Sequence, residues 1–523
     1  MPIRHLLVIL GDHLDPGSSV FDGADPTQDV VWMAEAPAEA TLVPSHRQRI
    51  ALFLSAMRHH RDALRAAGWT VHYRTLDDPA NAGSLEAELA TFLAATQVQR
   101  VILVEAGEWR VQEALRAAVG KTPLEERPDR HFLISRSDFD TWWTAHKGHR
   151  MEWFYRWMRR RTGILMDGDD PVSGRWNYDE DNRTSFTAAG PGRIPRPRAF
   201  MPDAITQEVL ALVDSRFPDH PGELDSFAWP VTPAEARDAL EDFLAHRLAG
   251  FGPFEDARWD SEPVLYHSRL SAAMNLKLLD PRLVLHRVEE AWRAGLIPLA
   301  SAEGFIRQVL GWREWVRGIY WRSMPGYLAR NAWGHHQALP AFYWTGDVPM
   351  ACLNTAIGDT LRHGYAHHIQ RLMVTGLYAF LLEVDPVEVH RWYLAIYVDA
   401  VEWVELPNTL GMALNADGDV MASKPYLASG AYHARMGNSC SRCPFDPKEA
   451  IGPRACPYTT LYWDALDRNA ERLRRNPRMA NQVRNRDRLS EERRAAIRAQ
   501  AMALRAQGGR PTSPLPDESQ RGA

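Results

Sequence analysis

The chain has 523 residues, enough for two or more separately cored domains, and carries a net charge of −5 that excludes a generally basic nucleic-acid binder. Any polyanion site must therefore be a local patch. No apolar run approaches the 18 residues of a membrane span, and Met1–Leu10 is too short and lacks a cleavage site for a signal peptide, so a cytoplasmic protein is expected.

Leu6-Leu-Val-Ile-Leu10, ended by Gly11-Asp12, reads as a buried strand, and Val30–Ala34 repeats the pattern. Helical spacing from Ser45 to Ala67 ends at Gly68, and Trp69–Tyr73, Val101–Glu105 and His131–Ser135 read as further strands. The alternation predicts a Rossmann-like, doubly wound parallel sheet (α/β) over residues 1–145, without a G-x-G-x-x-G fingerprint. Asp12, Glu35 and Ile50 fall where a ligand at the strand ends would be met, although capping and packing explain each equally well.

Residues 146–232 read as an irregular interdomain linker rich in Pro, Gly, Trp and Arg. Phe154–Arg161 and Gly174–Arg183 interleave rings with charge, a pattern suited to phosphates and stacked bases or to a covered domain joint. From Pro233 the pattern is helical, with amphipathic segments at Pro233–Arg247, Pro281–Ala294, Ala302–Tyr320 and Leu353–Leu382, giving a large all-α domain over 233–507. Arg468 to Arg494 holds ten arginines against four acids, a solvated surface or a phosphate-facing one. Residues 508–523 read as a disordered tail.

The chain has four cysteines: Cys440-Ser-Arg-Cys443, Cys456 and the distant Cys352. A C-x2-C pair with two further thiolates completes a four-sulfur shell for a structural zinc or a [4Fe–4S] cluster. The remote fourth ligand leans towards the cluster.

Four segments then resemble, in order, the flavin site of the photolyase/cryptochrome superfamily. Tyr266-His-Ser-Arg-Leu-Ser271 is similar to its pyrophosphate turn, and Trp312-Arg-Glu-Trp315 to its W-R-E-F wall. Gly364-Tyr-Ala-His-His-Ile-Gln-Arg-Leu-Met373 resembles its G-W-x-H-N-R-x-R-M helix, and Tyr397-Val-Asp-Ala400 its flavin loop. The cysteine pattern resembles the bacterial iron–sulfur branch of (6-4) photolyases and related cryptochromes.

The resemblance implies an all-α domain holding FAD through Tyr266, Ser268, Arg269, Leu270, Ser271, Gln308, Arg313, Arg371, Asp399 and Glu405. It implies a [4Fe–4S] cluster on Cys352, Cys440, Cys443 and Cys456, and a 6,7-dimethyl-8-ribityllumazine antenna at Asp12, Glu35 and Ile50. His368 takes the family position facing the lesion. Leu372 stands where eukaryotic (6-4) enzymes place a second histidine, which leaves His367 as the substitute. Glu405 departs from the usual Asn or Cys, and Trp392, Tyr393 and Trp344 are the candidate electron path. The implied activity is that of a (6-4) DNA photolyase, a carbon–carbon lyase acting as a monomer on UV-damaged DNA with His368 protonated as proton donor. The alternatives are a blue-light receptor with the same cofactors and a zinc-stabilised nucleic-acid binder without flavin.

Overall fold

The computed structural model describes residues 2–514. Five parallel strands, β1 (Ile3–Val8), β2 (Val30–Ala34), β3 (Thr70–Arg74), β4 (Val98–Val104) and β5 (Leu124–Arg127), pair in the order β3-β2-β1-β4-β5. Leu6 sits opposite Val30 on one side and Val101 on the other, so the unbroken apolar run of β1 lies at the sheet centre. Its alternate residues feed two cores. Leu6, Val8 and Leu10 pack with Leu89 and Leu115 of the helices Leu85–Ala95 and Trp109–Val119. Leu7 and Ile9 join a second core that runs through the helix Arg47–Ala66 into the helical domain without a break.

The fifth strand is Leu124–Arg127 and not His131–Ser135. The apolar run at 131–135 is spent on the domain joint: the Glu314 carboxylate accepts from the backbone N–H of Leu133 (3.1 Å) and Ile134 (3.4 Å). The guanidinium groups of Arg313 and Arg317 lie 4.1 and 4.0 Å from the Phe132 ring centre. A side chain of the helical domain thus takes the donors that a strand neighbour would have taken.

The linker is more regular than expected. Met151–Thr162 is a helix because Met151, Phe154, Tyr155 and Met158 share one buried stripe, and Ala204–Arg216 packs on Arg47–Ala66. Arg159 is turned inward, giving its guanidinium to the carbonyls of Ile164, Leu165 and Trp176. Arg156, Arg159 and Arg160 lie over Trp176, which makes this interleaved segment an internal brace.

The helical domain opens at Pro233–His246, where Thr232 and Glu235 form a capping box ahead of Pro at the first helical position. The expected helix 353–382 is broken: Ala351–His363 ends at Gly364 (φ +60°), and a new helical run starts at His368. Three π-helical turns, Arg307–Arg313, Gln370–Gly376 and Pro407–Ala413, converge on one cavity. At the C-terminal end the chain stays packed through the first part of the expected tail. The Gly509 carbonyl accepts from Tyr378 (2.6 Å) and Arg510 pairs with Asp347 (2.7 Å), while 515–523 lie outside the described residues.

Candidate active site

The cavity encloses about 1870 Å³ and opens between linker and helical domain. This exceeds the ~300–1,000 Å³ of a usual small-ligand pocket, leaving room for a large cofactor and part of a second ligand. His368 and His367 both line it. They are delivered by the sharp turn at Gly364, where a Cβ would stand 2.5 Å from Val398 Cγ1, so only glycine lets this backbone pass. Gln370 Oε1 accepts from the His367 backbone N–H (3.1 Å), and the His367 ring stacks on His267 at 4.3 Å and 12°. His367 Nδ1 is buried without a partner.

Burial, and then Arg371, push His368 down to about 4, and burial followed by His267 holds His367 well below the usual imidazole range. The expectation of a standing imidazolium at His368 is therefore corrected. Both rings are thus held towards the neutral form.

Arg371 pairs bidentately with Asp399 (2.8 and 3.2 Å), and Ser271 donates to the same carboxylate (2.5 Å). Asn275 donates to the Asp399 carbonyl (2.8 Å), and the Arg371 guanidinium lies 3.8 Å from the Tyr397 ring centre. Ser271 thus braces an ion pair instead of standing free at a helix start, and the helix it opens is a single turn, Ser271–Asn275. Ser268 accepts from the Leu270 N–H (3.3 Å).

Arg269 (φ +56°) stacks on Trp229 at 4.0 Å, lines the cavity and has no acid partner among the described residues; its buried Nε is unsatisfied, whereas neighbouring Arg247 lies off the cavity and pairs with Asp242 (2.5 Å). A guanidinium with an unspent donor and no acid partner among the described residues is chemistry that suits a phosphate. Tyr266 and Leu270 do not line the cavity: Tyr266 stacks on Phe254 (5.5 Å) and Leu270 belongs to the core. Gln308 lines it with its amide donated to the Gly304 carbonyl, and Arg313 lines it while bonded to Glu314 and the His131 carbonyl. Glu405 reaches the wall with its carboxylate already held by His390 (2.5 Å) and Thr409 (2.6 Å).

The rim explains the electrostatics. Arg150, Arg183, Lys424, Arg435, Arg472, Arg475 and Arg478 line the opening, and none of the seven makes an ion pair with the described residues. Several of the C-terminal arginines are instead spent internally. Arg486 and Arg498 bind Asp467, Arg474 binds Asp487, and Arg468 and Arg505 bind Asp464. The residue count thus overstated this segment, and only Arg472, Arg475 and Arg478 face the cavity. Trp312 and Tyr426 line it with their rings. Sequence reasoning missed Glu255, whose carboxyl burial and then Asp256 push up to about 8, with Oε2 unpartnered at the wall.

In the N-terminal domain Asp12, Glu35 and Ile50 line a separate cavity of about 120 Å³. Glu35 has little left for a ligand, since Arg58 (2.7 and 3.0 Å), Tyr73 (2.7 Å) and the Leu76 N–H (2.8 Å) occupy its carboxylate. Asp12 is pushed up to about 6, chiefly by burial.

The four cysteines are free thiols and neighbours: Cys352 is raised well above the usual thiol range by burial, with Arg258 opposing and Cys456, Cys440 and Cys443 adding to the rise. Among the described residues no three His, Cys, Asp or Glu side chains are arranged as a formed metal site. Burial lifts Cys440 to about 11 and Cys456 to about 12, so the unliganded thiols keep their protons, which a bound metal would displace. Trp392 is buried and touches Tyr393 (5.3 Å) and Tyr343 (5.2 Å), whereas Trp344 is 36 % exposed and makes no ring contact with the described residues.

Residues 7–229 match the family model for deoxyribodipyrimidine photo-lyase-related proteins. A (6-4) photolyase of Agrobacterium fabrum is 45 % identical over 505 residues, covering 96 % of this chain and 99 % of that protein. Among solved structures, a class III photolyase from Agrobacterium tumefaciens aligns with a TM-score of 0.56 at 15 % identity, covering 99 % of this chain and 95 % of that one. A Synechocystis cryptochrome aligns at 0.52 and 13 % identity over 79 % of this chain and 83 % of its own. The two structures share the fold: a parallel five-stranded domain joined to a helical one. On the near full-length likeness to the Agrobacterium fabrum enzyme, the chain belongs to the photolyase-related family.

Proposed function

We propose that the protein is a light-driven DNA repair lyase that restores intact pyrimidines from pyrimidine–pyrimidone (6-4) photoproducts. The observation that carries this reading is the 45 % identity over 96 % of the chain to a (6-4) photolyase, including the length that forms the cavity. The site agrees chemically. A damaged pair costs less to open than a sound one, and the seven cations around the opening that have no ion pair among the described residues suit the phosphates on either side of an extruded lesion.

FAD fits the residues present: Arg269 offers an unspent donor for its phosphates, and Arg371, fixed by Asp399, offers a cation for its ring system. When bound and reduced, FAD supplies a photoexcited one-electron donor. The chain's own tasks are then to exclude water, hold the lesion against the ring system and place a proton. His368 is the group for the last task. DNA phosphates and a reduced flavin bring negative charge that opposes Arg371, the second cause of its low basicity, and so raise His368 from about 4 towards the working range. His367, stacked on His267, holds the orientation of the turn.

Cys352, Cys440, Cys443 and Cys456 would hold a [4Fe–4S] cluster; four neighbouring thiols, two buried and two half-buried, are the donor set it requires. Asp12, Ile50 and the cavity around them would take a ribityllumazine antenna, with Glu35 as a structural strut of that wall.

The test is repair by reduced protein of a duplex carrying one (6-4) lesion under blue light, read by chromatographic recovery of intact thymines. His368→Ala should keep DNA and flavin binding and lose about 10² to 10⁴ in repair rate, while His367→Ala loses less. No recovery by wild-type protein with fully reduced flavin would favour a photoreceptor instead.

A further inference from the structure

Seven large apolar side chains are exposed among the described residues, and one of them, Trp153 at 43 %, lines the opening of the cavity. Its helix, Met151–Thr162, buries the stripe formed by Met151, Phe154, Tyr155 and Met158, and Trp153 stands off that stripe. The ring belongs to neither hydrophobic core and makes no ring contact with the described residues, whereas Trp157, one turn on, packs against Phe154 at 5.8 Å. An indole is the largest apolar surface a side chain offers, and the packing of the fold leaves this one unspent.

The ring is nevertheless held in place. Gly148 (φ +71°) runs along its edge, where a Cβ would stand 3.2 Å from Trp153 Cζ3 and 3.5 Å from Cη2. The Arg150 guanidinium lies 5.5 Å from the ring centre, and the Arg150 carbonyl accepts from the Trp153 N–H (3.1 Å). Arg150 also lines the opening and makes no ion pair with the described residues, so a fixed ring and an uncommitted cation stand together at the lip. An apolar face beside a cation is the arrangement that a nucleobase and its phosphate fit.

We propose that Trp153 is a specificity-determining residue whose ring stacks on the base left unpaired opposite an extruded lesion. The proposal rests on the repair reading given above. When a lesion leaves the duplex for the cavity, the bases that faced it lose their partners and stand beside a gap at the lip of the opening. Sound DNA offers no such gap, because its bases stay paired and stacked. The ring is therefore idle on an intact duplex and binds only once the lesion has moved. Gly148 and Arg150 fix it beforehand, so little ordering cost is set against the contact. A base stacked on an aromatic side chain is worth ~1–3 kcal/mol, about 5- to 150-fold in affinity.

The test is made in darkness on the full-length protein as purified, with two duplexes that carry 2-aminopurine at the same position, one opposite a (6-4) lesion and one opposite an undamaged pyrimidine. Wild-type protein should prefer the lesion duplex and quench its probe on binding. Trp153→Ala should bind the lesion duplex about 5- to 150-fold more weakly, keep its affinity for the sound duplex and the salt dependence of both, and leave the probe bright. Trp153→Phe, which keeps a smaller ring, should restore part of the affinity and of the quenching. The melting temperature should hold, since the ring lies outside both cores. If Trp153→Ala fails to fold, Trp153→Leu, apolar but without a π-face, must show the same losses. An unchanged ratio of lesion to sound affinity, an equal loss on both duplexes, or equal quenching without the ring overturns the proposal. Wild-type protein with no preference for the lesion overturns the repair reading as well, whereas a preference kept in full by the folded variant overturns the role of Trp153 alone.

Discussion

Asp399→Asn probes the centre of the cavity. In the native protein the Asp399 carboxylate takes two bonds from Arg371 and one from Ser271, and both members of the ion pair are largely shielded. The amide keeps the volume and one acceptor oxygen but removes the charge, leaving a buried guanidinium beside the Tyr397 ring with no counter-ion. Removing one partner of such a pair costs about 3–5 kcal/mol, a large part of a domain's ~5–15 kcal/mol. The loss should appear in denaturant unfolding of flavin-depleted protein, with far-UV and flavin-site probes compared because two domains need not melt together. Adding reduced, anionic flavin should return part of the loss, since it supplies the missing negative charge. A change under about 1 kcal/mol in the depleted protein would refute the argument, because it would mean that Arg371 is solvated and not held by Asp399.

Gly364→Ala should cost about 2–5 kcal/mol, joining the left-handed backbone penalty to a Cβ placed 2.5 Å from Val398, and should abolish repair by displacing His367 and His368; a melt and a repair assay check it. Stability should fall as pH drops from 6.5 towards 4. Burial holds His46, His60, His335 and His368 at about 4, so the unfolded chain binds protons that the folded one refuses, on the order of 3 kcal/mol per group at full protonation. Thermal midpoints from pH 8 to 5 test this, and a flat profile contradicts it. Cys352→Ala should lose iron and soluble yield together; full iron by elemental analysis would remove Cys352 from the ligand set.

The parts of the fold legible in the sequence were those with local causes. β2 and the inner halves of β1 and β4 are apolar runs because the sheet buries both faces there, and Thr232 with Glu235 announces its helix by capping chemistry. β5 was illegible because Leu-Glu-Glu-Arg is an edge strand with charged side chains, and the nearby apolar run 131–135 imitates a strand while serving the joint to Glu314. The motif residues Ser268, Arg269, Ser271, Arg371, Asp399, His367 and His368 do meet at one cavity, whereas Tyr266 and Leu270 from the same motif pack away from it. The charge state of His368 could not be read in advance, because burial and the approach of Arg371 are tertiary facts. The same holds for the C-terminal arginines, whose partners Asp464 and Asp467 lie on the preceding helix Pro457–Arg468.

The central claim is lesion-specific repair, and it is tested most directly by giving one reduced preparation two duplexes, one with a (6-4) photoproduct and one with a cyclobutane dimer, in light and in darkness. The account predicts recovery of intact thymines from the (6-4) duplex in light alone, with His368→Ala inactive at unchanged DNA binding. Equal inactivity of wild-type protein on both duplexes, or repair confined to the cyclobutane dimer, would contradict it.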